Sequence, residues 1–270
     1  MNPTSHLNKS LFSEEINQFI SSFSITEGRY NLRFAQTELE LDCALKLRFE
    51  VFNLELGEGL PESYQTFRDK DKFDDQCHHL IVTDLNTSTV IGTYRLQTVE
   101  SAVSGKGFYS AGEFYLSEFP PDFLANAVEV GRACISKDHR NSRVLFLLWQ
   151  GLAAYVFNFR KRYFFGCCSL TSQNMNEGIW LMDFLQNNNF VQDNILVNPL
   201  PDLVCRRTDD SKHVDFVEIP RLFKAYLNYG GKVCSLPAID REFKTIDFLV
   251  MVDVLSLDEK TIQLFFPKDN

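Results

Sequence analysis

The stretch AVEVGRACISKDHRNSRVLFLLWQGLAAYVF, residues 127–157, contains two charged side chains within an apolar run, then a basic turn and an apolar helical segment. In a regular strand, residues three apart point to opposite faces, which would separate Glu129 from Arg132. Gly131 between them favours a β-bulge, and a bulge would return both side chains to one face. It would also leave a backbone N–H directed into a cleft, where it could polarise a carbonyl group. The pattern predicts a reaction centre, with an ordinary buried ion pair as the alternative.

The basic turn between this strand and the following helix contains Lys137, Arg140 and Arg143. Helix N-termini attract anions, so Arg140, Asn141, Ser142 and Arg143 together predict a site for a phosphate or an acidic partner. Solvated caps on a buried helix are the alternative explanation. The turn is not a glycine-rich phosphate loop, because Asn141, Ser142 and Arg143 occupy it.

A long polar loop, GEGLPESYQTFRDKDKFDDQC, contains Asp71 and Asp74. Two carboxylates three residues apart could bind a cationic substrate, or they could pair with Arg48 and Arg95. An acidic run of this kind is more often simply solvated. The loop is therefore a weaker indication of function than the strand at 127–135.

The composition restricts the class of protein. The 270-residue chain is 44% hydrophobic and 23% charged, as expected of a globular protein with a large core. Its net charge of -9 argues against nucleic-acid binding, which requires a basic surface. The seven cysteines lack zinc-ligand spacing, which predicts reduced thiols and no metal site. We expect a cytoplasmic protein, because the sequence has neither a signal-peptide pattern nor the ~20 apolar residues of a membrane span.

Hydrophobic periodicity predicts the secondary-structure elements. An amphipathic helix with Phe12 on its apolar face and Ser13 as its cap is expected to dock onto its own domain, with peripheral membrane association as the alternative. The elements expected after it are a strand at 30–34, a helix at 39–54, the hairpin HLIVTDL–VIGTYRLQTV, the strand and helix of 127–157, the strand YFFGCCSL, a helix at 179–185, the short helix RLFKAYLNYG and the buried strand TIDFLVMVDV.

This order of elements predicts a mixed α/β fold, with a central mixed sheet flanked by helices. The helix after the quoted strand is expected to cross over into a parallel neighbouring strand. We divide the chain into an N-terminal helix at 1–28, a core at 29–190 and a C-terminal extension at 191–270 that packs on the core.

Four stretches, LRFEVFNLELG, DKDKFD, IGTYRL and EVGRACI, occur in the order found in acyl-homoserine-lactone synthases, which have the GNAT acyltransferase fold. The chain resembles that family. The matching positions are Arg48, Phe52, Asp71, Asp74, Arg95, Glu129 and Arg132. One departure is the tryptophan expected shortly after Phe52, which is replaced by the stretch ELGEGL.

A closer resemblance covers residues 30–255. GFYSAGEFYL, LLWQGLAAY, FGCCSL and AYLNYGGKVCSLPAIDREFKTIDFLVMVDV are similar to the ornithine-lipid-type, or hemolysin-like, N-acyltransferases. That resemblance implies transfer of a (3-hydroxy)fatty acyl chain from acyl carrier protein to the amine of an amino acid such as ornithine. The donor is then an acyl-phosphopantetheine, which has no adenosine pyrophosphate for a glycine-rich loop to bind, and no cofactor is expected.

The resemblance also implies roles for individual residues. Glu129 is the expected base for the attacking amine, and Arg132 orients it or holds the substrate carboxylate. The expected substrate-binding residues are Arg48, Phe52, Asp71, Asp74, Arg95 and Trp149, the last in a helix that would line an acyl tunnel. The carrier or its phosphate is expected to contact Arg140, Asn141, Ser142 and Arg143.

Two other functions remain open from the sequence. The enzyme could make a diffusible N-acyl amino acid or N-acyl homoserine lactone. Alternatively, the chain could be a non-catalytic acyl-carrier or lipid-binding module, although such a module would have no need of a base at Glu129.

Overall fold

A computed structural model describes residues 14–207 and 217–266. In this part of the chain, nine strands form one mixed sheet. The strands are β1 (Ser24–Glu27), β2 (Tyr30–Phe34), β3 (His78–Asp84), β4 (Thr89–Thr98), β5 (Ala127–Ile135), β6 (Tyr163–Leu170), β7 (Lys232–Val233), β8 (Ala238–Asp240) and β9 (Thr245–Asp253). Their order in the sheet is β1-β2-β3-β4-β5-β6-β9-β7, and β8 pairs with β9.

Helices flank this sheet, which confirms the predicted fold class. They are α1 (14–22), α2 (Glu38–Phe49), α3 (Ser63–Thr66), α4 (Val99–Ser104), α5 (Ser142–Asn158), α6 (Met175–Asn187), α7 (Arg221–Asn228) and α8 (Glu259–Phe265). Helix α2 continues into a π-helical stretch at Glu50–Glu55, so the helix predicted at 39–54 is present with a change of winding near its end. The capping box of Thr37 and Glu40 explains where α2 begins.

Helix α1 docks onto its own domain, as its amphipathic pattern predicts. Phe19 and Phe23 contact Phe34 of β2, with ring centroids 5.7 and 5.5 Å apart. The predicted positions Phe12 and Ser13 lie outside the described residues. In the described ranges, no helix has the length and apolar character needed to cross a membrane.

Helix α5 connects β5 to β6, and these two strands are parallel, as predicted for a crossover unit. The helix begins at Ser142 because the Asn141 side chain caps it, accepting a hydrogen bond from the Val144 amide at 3.1 Å. Its apolar face packs on the sheet, where Leu147 and Leu148 are fully buried. Each such leucine contributes roughly 1.5–3 kcal/mol to folding.

The C-terminal strand β9 is part of the same sheet as the rest of the fold. It pairs antiparallel with β6 along the whole of Tyr163–Leu170. The 191–270 segment thus supplies an interior strand of the sheet. The division of the chain into domains stays a prediction.

The two faces of the sheet differ in chemistry. On β5, Val128 and Val130 point toward α5 and its apolar core, whereas Ala127 and Glu129 point to the opposite face. We call this opposite side the α2 face, because α2 packs on it against β4 and β5. The polar residues that the sequence singles out are concentrated there.

Candidate active site

The ladder between β4 and β5 contains the predicted bulge, one residue later than expected. Thr93 pairs with Cys134 and Arg95 pairs with Gly131, so β5 has one more residue than β4 in this interval. The bulge residue with a left-handed conformation is Arg132, with φ at +49°, and not Gly131. This conformation costs a non-glycine residue free energy, which the ion pairs of the Arg132 guanidinium offset.

The bulge brings Glu129 and Arg132 to the same face, as predicted. The Glu129 carboxylate accepts a hydrogen bond from the Tyr109 amide at 3.0 Å, and the Arg132 guanidinium lies 4.7 Å from the centroid of the Tyr109 ring. The two residues do not form the alternative ion pair with each other. Arg132 pairs instead with Asp69 and Asp71.

Strands β5 and β6 separate beyond a short parallel ladder that ends at Glu129 and Phe165. Gly166 lies at the apex of the gap, where an added Cβ would be 2.1 Å from the Val130 carbonyl oxygen. Beyond it, residues 130–133 of β5 and 167–169 of β6 line a cavity of about 250 Å³. We call this cavity the β5–β6 cleft. The edge of β5 faces it instead of a neighbouring strand, which is the setting expected for an unpaired N–H.

Three arginines and three aspartates form a buried network on the α2 face. The members are Arg48, Arg95, Arg132, Asp69, Asp71 and Asp74. The matching positions of the sequence motifs include six charged residues, and the network brings together five of them, all but Glu129. Asp69 is the member that the sequence did not single out, although it belongs to the same acidic loop.

Asp74 lies at the centre of this network. It binds Arg48 through two contacts of 2.7 and 3.3 Å and binds Arg95 at 3.0 Å, while Arg95 also binds Asp71 at 2.6 Å. Burial alone would raise the pKa of Asp74, but Arg48 and Arg95 hold the pKa well below its ordinary value. Of the two alternatives for Asp71 and Asp74, the geometry favours pairing with arginine over binding a cationic substrate.

Glu129 is held by donors on every side. Its two oxygens accept hydrogen bonds from Gln97 Nε2 at 2.5 Å, from the amides of Tyr109 and Ser110 at 3.0 and 2.9 Å, and from the Ser110 hydroxyl at 2.5 Å. These four bonds occupy the lone-pair positions that a carboxylate offers. Glu129 also lines the β5–β6 cleft, so it connects the cleft wall to the turn at 109–112.

The predicted apolar residues lie on opposite sides of the sheet. Phe52 lines the β5–β6 cleft and contacts Phe243 edge-on at 5.5 Å. Trp149 is buried under α7 and α8, stacked on Tyr226 at 5.4 Å, and it lines a separate apolar cavity of about 50 Å³. Tyr226 lines both cavities, which makes it the boundary between them.

The basic turn lies outside the cleft lining, at the start of α5. Arg140 binds both carboxylate oxygens of Glu55, at 2.5 and 2.7 Å. Arg143 pairs with Glu27 at 3.2 Å and is 56% exposed. Ser142 is the first residue of α5, after the Asn141 cap. Arg143 is therefore the more accessible of the two arginines.

Two further carboxylates, Glu58 and Asp247, line the cleft, and a third, Glu113, has an oxygen within 4.8 Å of Asp247. The sequence motifs did not single out these three residues. Burial raises the pKa of Glu58 to about 7, against the hydrogen bond from Thr171, and burial also raises the pKa of Asp247 to about 6. The pKa of Glu113 is raised well above its ordinary value by burial and by Asp247. One signal was available, because Asp247 interrupts an otherwise apolar strand. Glu58 lies in ELGEGL, the stretch that departs from the lactone synthases.

Comparison with known proteins finds a matching domain family, similar relatives and similar solved structures. Residues 47–150 match the model of the acetyltransferase (GNAT) domain. The L-ornithine N(alpha)-acyltransferase of Agrobacterium fabrum is 30% identical over 257 residues, which cover 88% of this chain and 85% of that protein. The enzyme of the same name from Rhizobium meliloti is 31% identical over 236 residues, covering 82% of this chain and 79% of that protein. Among solved structures, the AHL synthase LasI aligns over 89% of this chain and 96% of its own, with 10% identity and a TM-score of 0.46.

The GNAT domain, and the named relatives that match most of the chain, define an acyltransferase. Within that class, the chain belongs to the family of the L-ornithine N(alpha)-acyltransferases. This confirms the family resemblance that the sequence motifs carried.

Proposed function

We propose that this acyltransferase moves a (3-hydroxy)fatty acyl chain from the phosphopantetheine of acyl carrier protein to the α-amine of ornithine, forming a lyso-ornithine lipid. The names of the relatives support ornithine as the acceptor. The observation that carries the proposal is the β5–β6 cleft, which has an apolar wall at Tyr94 and Tyr226 and an acidic wall at Glu58 and Asp247. The acyl thioester requires the apolar surroundings, and the cationic amino acid requires the acidic ones.

The reaction joins the acceptor nitrogen to the thioester carbon and breaks the carbon–sulfur bond. The amine must lose a proton to a base, and the departing phosphopantetheine sulfur takes a proton to leave as a thiol. Negative charge develops on the carbonyl oxygen as the amine attacks. A backbone N–H within residues 130–133, on the edge of β5 that faces the cleft, is suited to stabilise that charge.

Two carboxylates of the cleft are candidates for the base. Glu129 is the residue that the sequence motif indicates, and it stays a proposal. Glu58 also lines the cleft, accepts a hydrogen bond from Thr171, and has a pKa of about 7, near the value that suits a general base at neutral pH. The geometry favours Glu58, because four donors already occupy the Glu129 carboxylate. In this proposal Glu129 is a positioning residue.

The acyl chain is proposed to extend from the cleft past Tyr226 toward Trp149. The Tyr226 hydroxyl is 2.6 Å from the Tyr94 hydroxyl, and both side chains line the cleft. The apolar cavity beyond Tyr226 is too small for a fatty acyl chain, so α7 and α8 must move apart to admit one. An acyl-binding surface under α8 would also suit the proposed peripheral membrane association of a cytoplasmic enzyme.

The test is to incubate the purified protein with a 3-hydroxyacyl thioester of acyl carrier protein and a panel of amino acids, and to identify the products by mass spectrometry. We expect N-acylornithine as the main product. Formation of an N-acyl homoserine lactone, or preferential acylation of a neutral amino acid, would favour a diffusible signal as the product. Binding of the carrier without any acyl transfer would indicate the non-catalytic alternative.

A further inference from the structure

We infer that Glu113 and Asp247 form a subsite for a primary ammonium group, and that its ligand is the side-chain ammonium of a basic amino-acid acceptor. This inference rests on the proposed function and identifies the part of the acceptor that the cleft recognises. The two carboxylates reach the site from distant parts of the chain, one from the segment after the turn at 109–112 and the other from β9.

The geometry of the pair requires a donor. A carboxylate oxygen of Glu113, one of Asp247 and the sulfur of Cys167 all lie within 4.8 Å of one another. Glu113 is 6% exposed and Asp247 is 2% exposed. Among the described residues, Glu113 Oε1 and Asp247 Oδ1 accept no hydrogen bond. Buried carboxylate oxygens are normally hydrogen-bonded, so this arrangement is completed by a group that brings its own donors.

The missing group must be small and positively charged. Burial and the neighbouring Asp247 carboxyl both raise the pKa of Glu113, so the pair by itself shares a proton that a bound cation would replace. Arg132 does not complete the pair, because its guanidinium already binds Asp69 and Asp71. An ammonium has three N–H donors and no acceptor, which suits the two unpartnered oxygens.

The position of the pair connects it to the reaction. Asp247 and Cys167 line the β5–β6 cleft, where the acceptor amine must meet the thioester. Asp247 is also the β-ladder partner of Ser169 on β6, the strand that forms one side of the cleft. An acceptor whose α-amine lies at the β5 edge can therefore extend its side chain along β6 toward Asp247.

A divalent metal ion suits these three residues less well than an ammonium. Zinc takes thiolate ligands, whereas burial raises the pKa of the Cys167 thiol well above its ordinary value and keeps it protonated. Glu113 and Asp247 then remain as metal ligands, whereas protein zinc sites use three or four protein ligands.

The experiment compares ornithine with norvaline, which has the same carbon chain without the side-chain amine. The free energy of binding of each amino acid is measured by titration calorimetry, and kcat/KM is measured with the acyl carrier protein thioester. We expect the wild type to prefer ornithine over norvaline by at least ~10-fold, the scale of a hydrogen bond to a charged group. Asp247→Asn and Glu113→Gln should each reduce the ratio of kcat/KM for ornithine to kcat/KM for norvaline by ~10- to 100-fold.

The melting temperature and the circular dichroism spectrum show whether each variant is folded. Asp183→Asn, an exposed aspartate on α6, is the matched control and should keep the wild-type preference. An unchanged ornithine preference in folded Asp247→Asn and Glu113→Gln would overturn the inference, and so would equal use of both acceptors by the wild type. A stoichiometric metal ion in the purified protein that Asp247→Asn loses would also overturn it. Ornithine binding that depends on the pair, without acylation of any amine, would support the subsite and contradict the proposed function.

Discussion

Glu129 accepts two hydrogen bonds from a single residue, Ser110, one from its backbone amide at 2.9 Å and one from its hydroxyl at 2.5 Å. Ser110 lies in the turn at 109–112, so this pair ties β5 to the segment that carries Tyr109 over the cleft. In our proposal, a carboxylate held in this way positions the wall of the cleft. A positioning role for Glu129 and a role as the base therefore predict different results for the same variant.

We expect Glu129→Gln to lower both stability and kcat. The amide has one acceptor oxygen for four donors, so at least one buried donor loses its partner, at a cost of ~1–3 kcal/mol. The pH dependence of kcat/KM should nevertheless stay as in the wild type. Thermal melting and a pH–rate profile check this, with the exposed Glu62→Gln as the control. A kcat loss with an unchanged melting temperature and a missing acidic limb would identify Glu129 as the base.

For Glu58→Gln, we expect the acidic limb of the pH–rate profile to disappear. Burial raises the pKa of Glu58 to about 7, and a base must be deprotonated, so wild-type kcat/KM should rise with pH up to about 7 and then level off. The variant should be ~10²- to 10⁴-fold slower at neutral pH. Retention of the limb in this variant would exclude Glu58 as the base.

The same raised pKa has a consequence for stability. The folded state binds the Glu58 proton more tightly than the unfolded state, so the wild type loses stability as pH rises from the ordinary glutamate range to about 7. Glu58→Gln lacks this loss. The free energy of unfolding of the variant minus that of the wild type should therefore be larger at pH 8 than at pH 5. Denaturant unfolding at the two pH values measures the difference.

The buried network predicts a structural effect for Asp74→Asn. The change leaves Arg48 and Arg95 with less negative charge around them, and breaking a buried pair typically costs ~3–5 kcal/mol. Because the pKa of Asp74 is depressed, its ionised carboxylate stabilises the fold at pH values above the ordinary aspartate pKa. This stabilisation is lost as the pH falls toward the depressed pKa. The free energies of unfolding of the variant and the wild type should therefore differ least in acid. Activity should fall equally for all acceptors.

Asp75→Asn is the matched control for this variant, because Asp75 is an exposed neighbour that pairs with Lys70 at 3.3 Å. Its effect should be under ~1 kcal/mol. If Asp74→Asn instead weakened ornithine selectively and left stability unchanged, Asp74 would be a substrate-binding residue.

Two glycines of the cleft should respond oppositely to alanine. An added Cβ at Gly131 has no atom within 4 Å, so Gly131→Ala should fold normally while its methyl group occupies the proposed thioester position. At Gly166 the Cβ would be 2.1 Å from the Val130 carbonyl oxygen, so Gly166→Ala should be destabilised. Melting temperatures and thioester KM values test both. Unchanged kinetics in Gly131→Ala would place the thioester elsewhere.

The choice of donor can be tested at the start of α5. Acyl carrier protein thioesters should be used far better than the matching coenzyme A thioesters, and Arg143→Glu should raise the KM for the carrier more than it lowers kcat. Arg160→Glu is the control at the far end of α5. Arg143 pairs with Glu27 and Arg160 pairs with Glu15, and both pairs are exposed. Equal use of both donors, or equal effects of the two variants, would contradict carrier docking at this turn.

The sequence by itself determined the order of the elements and the class of protein. Strands and helices were predictable because their apolar residues recur with the local periods of each structure, as in the hairpin of β3 and β4 and the crossover through α5. The charged residues of the motif positions were also identifiable. Glu129 and Arg132 are unusual in an apolar strand, and charges rarely occur there without partners.

Only the tertiary structure decided which charges meet. Asp71 and Asp74 pair with arginines, and Glu58 and Asp247 line one cleft from segments that lie far apart in the chain. Glu113 reaches Asp247 from a third segment. Such contacts depend on strand register and on packing between distant elements, which no local pattern encodes. The bulge at Arg132 and the raised pKa values depend on the same packing, because both arise from what surrounds a residue and not from its neighbours in sequence.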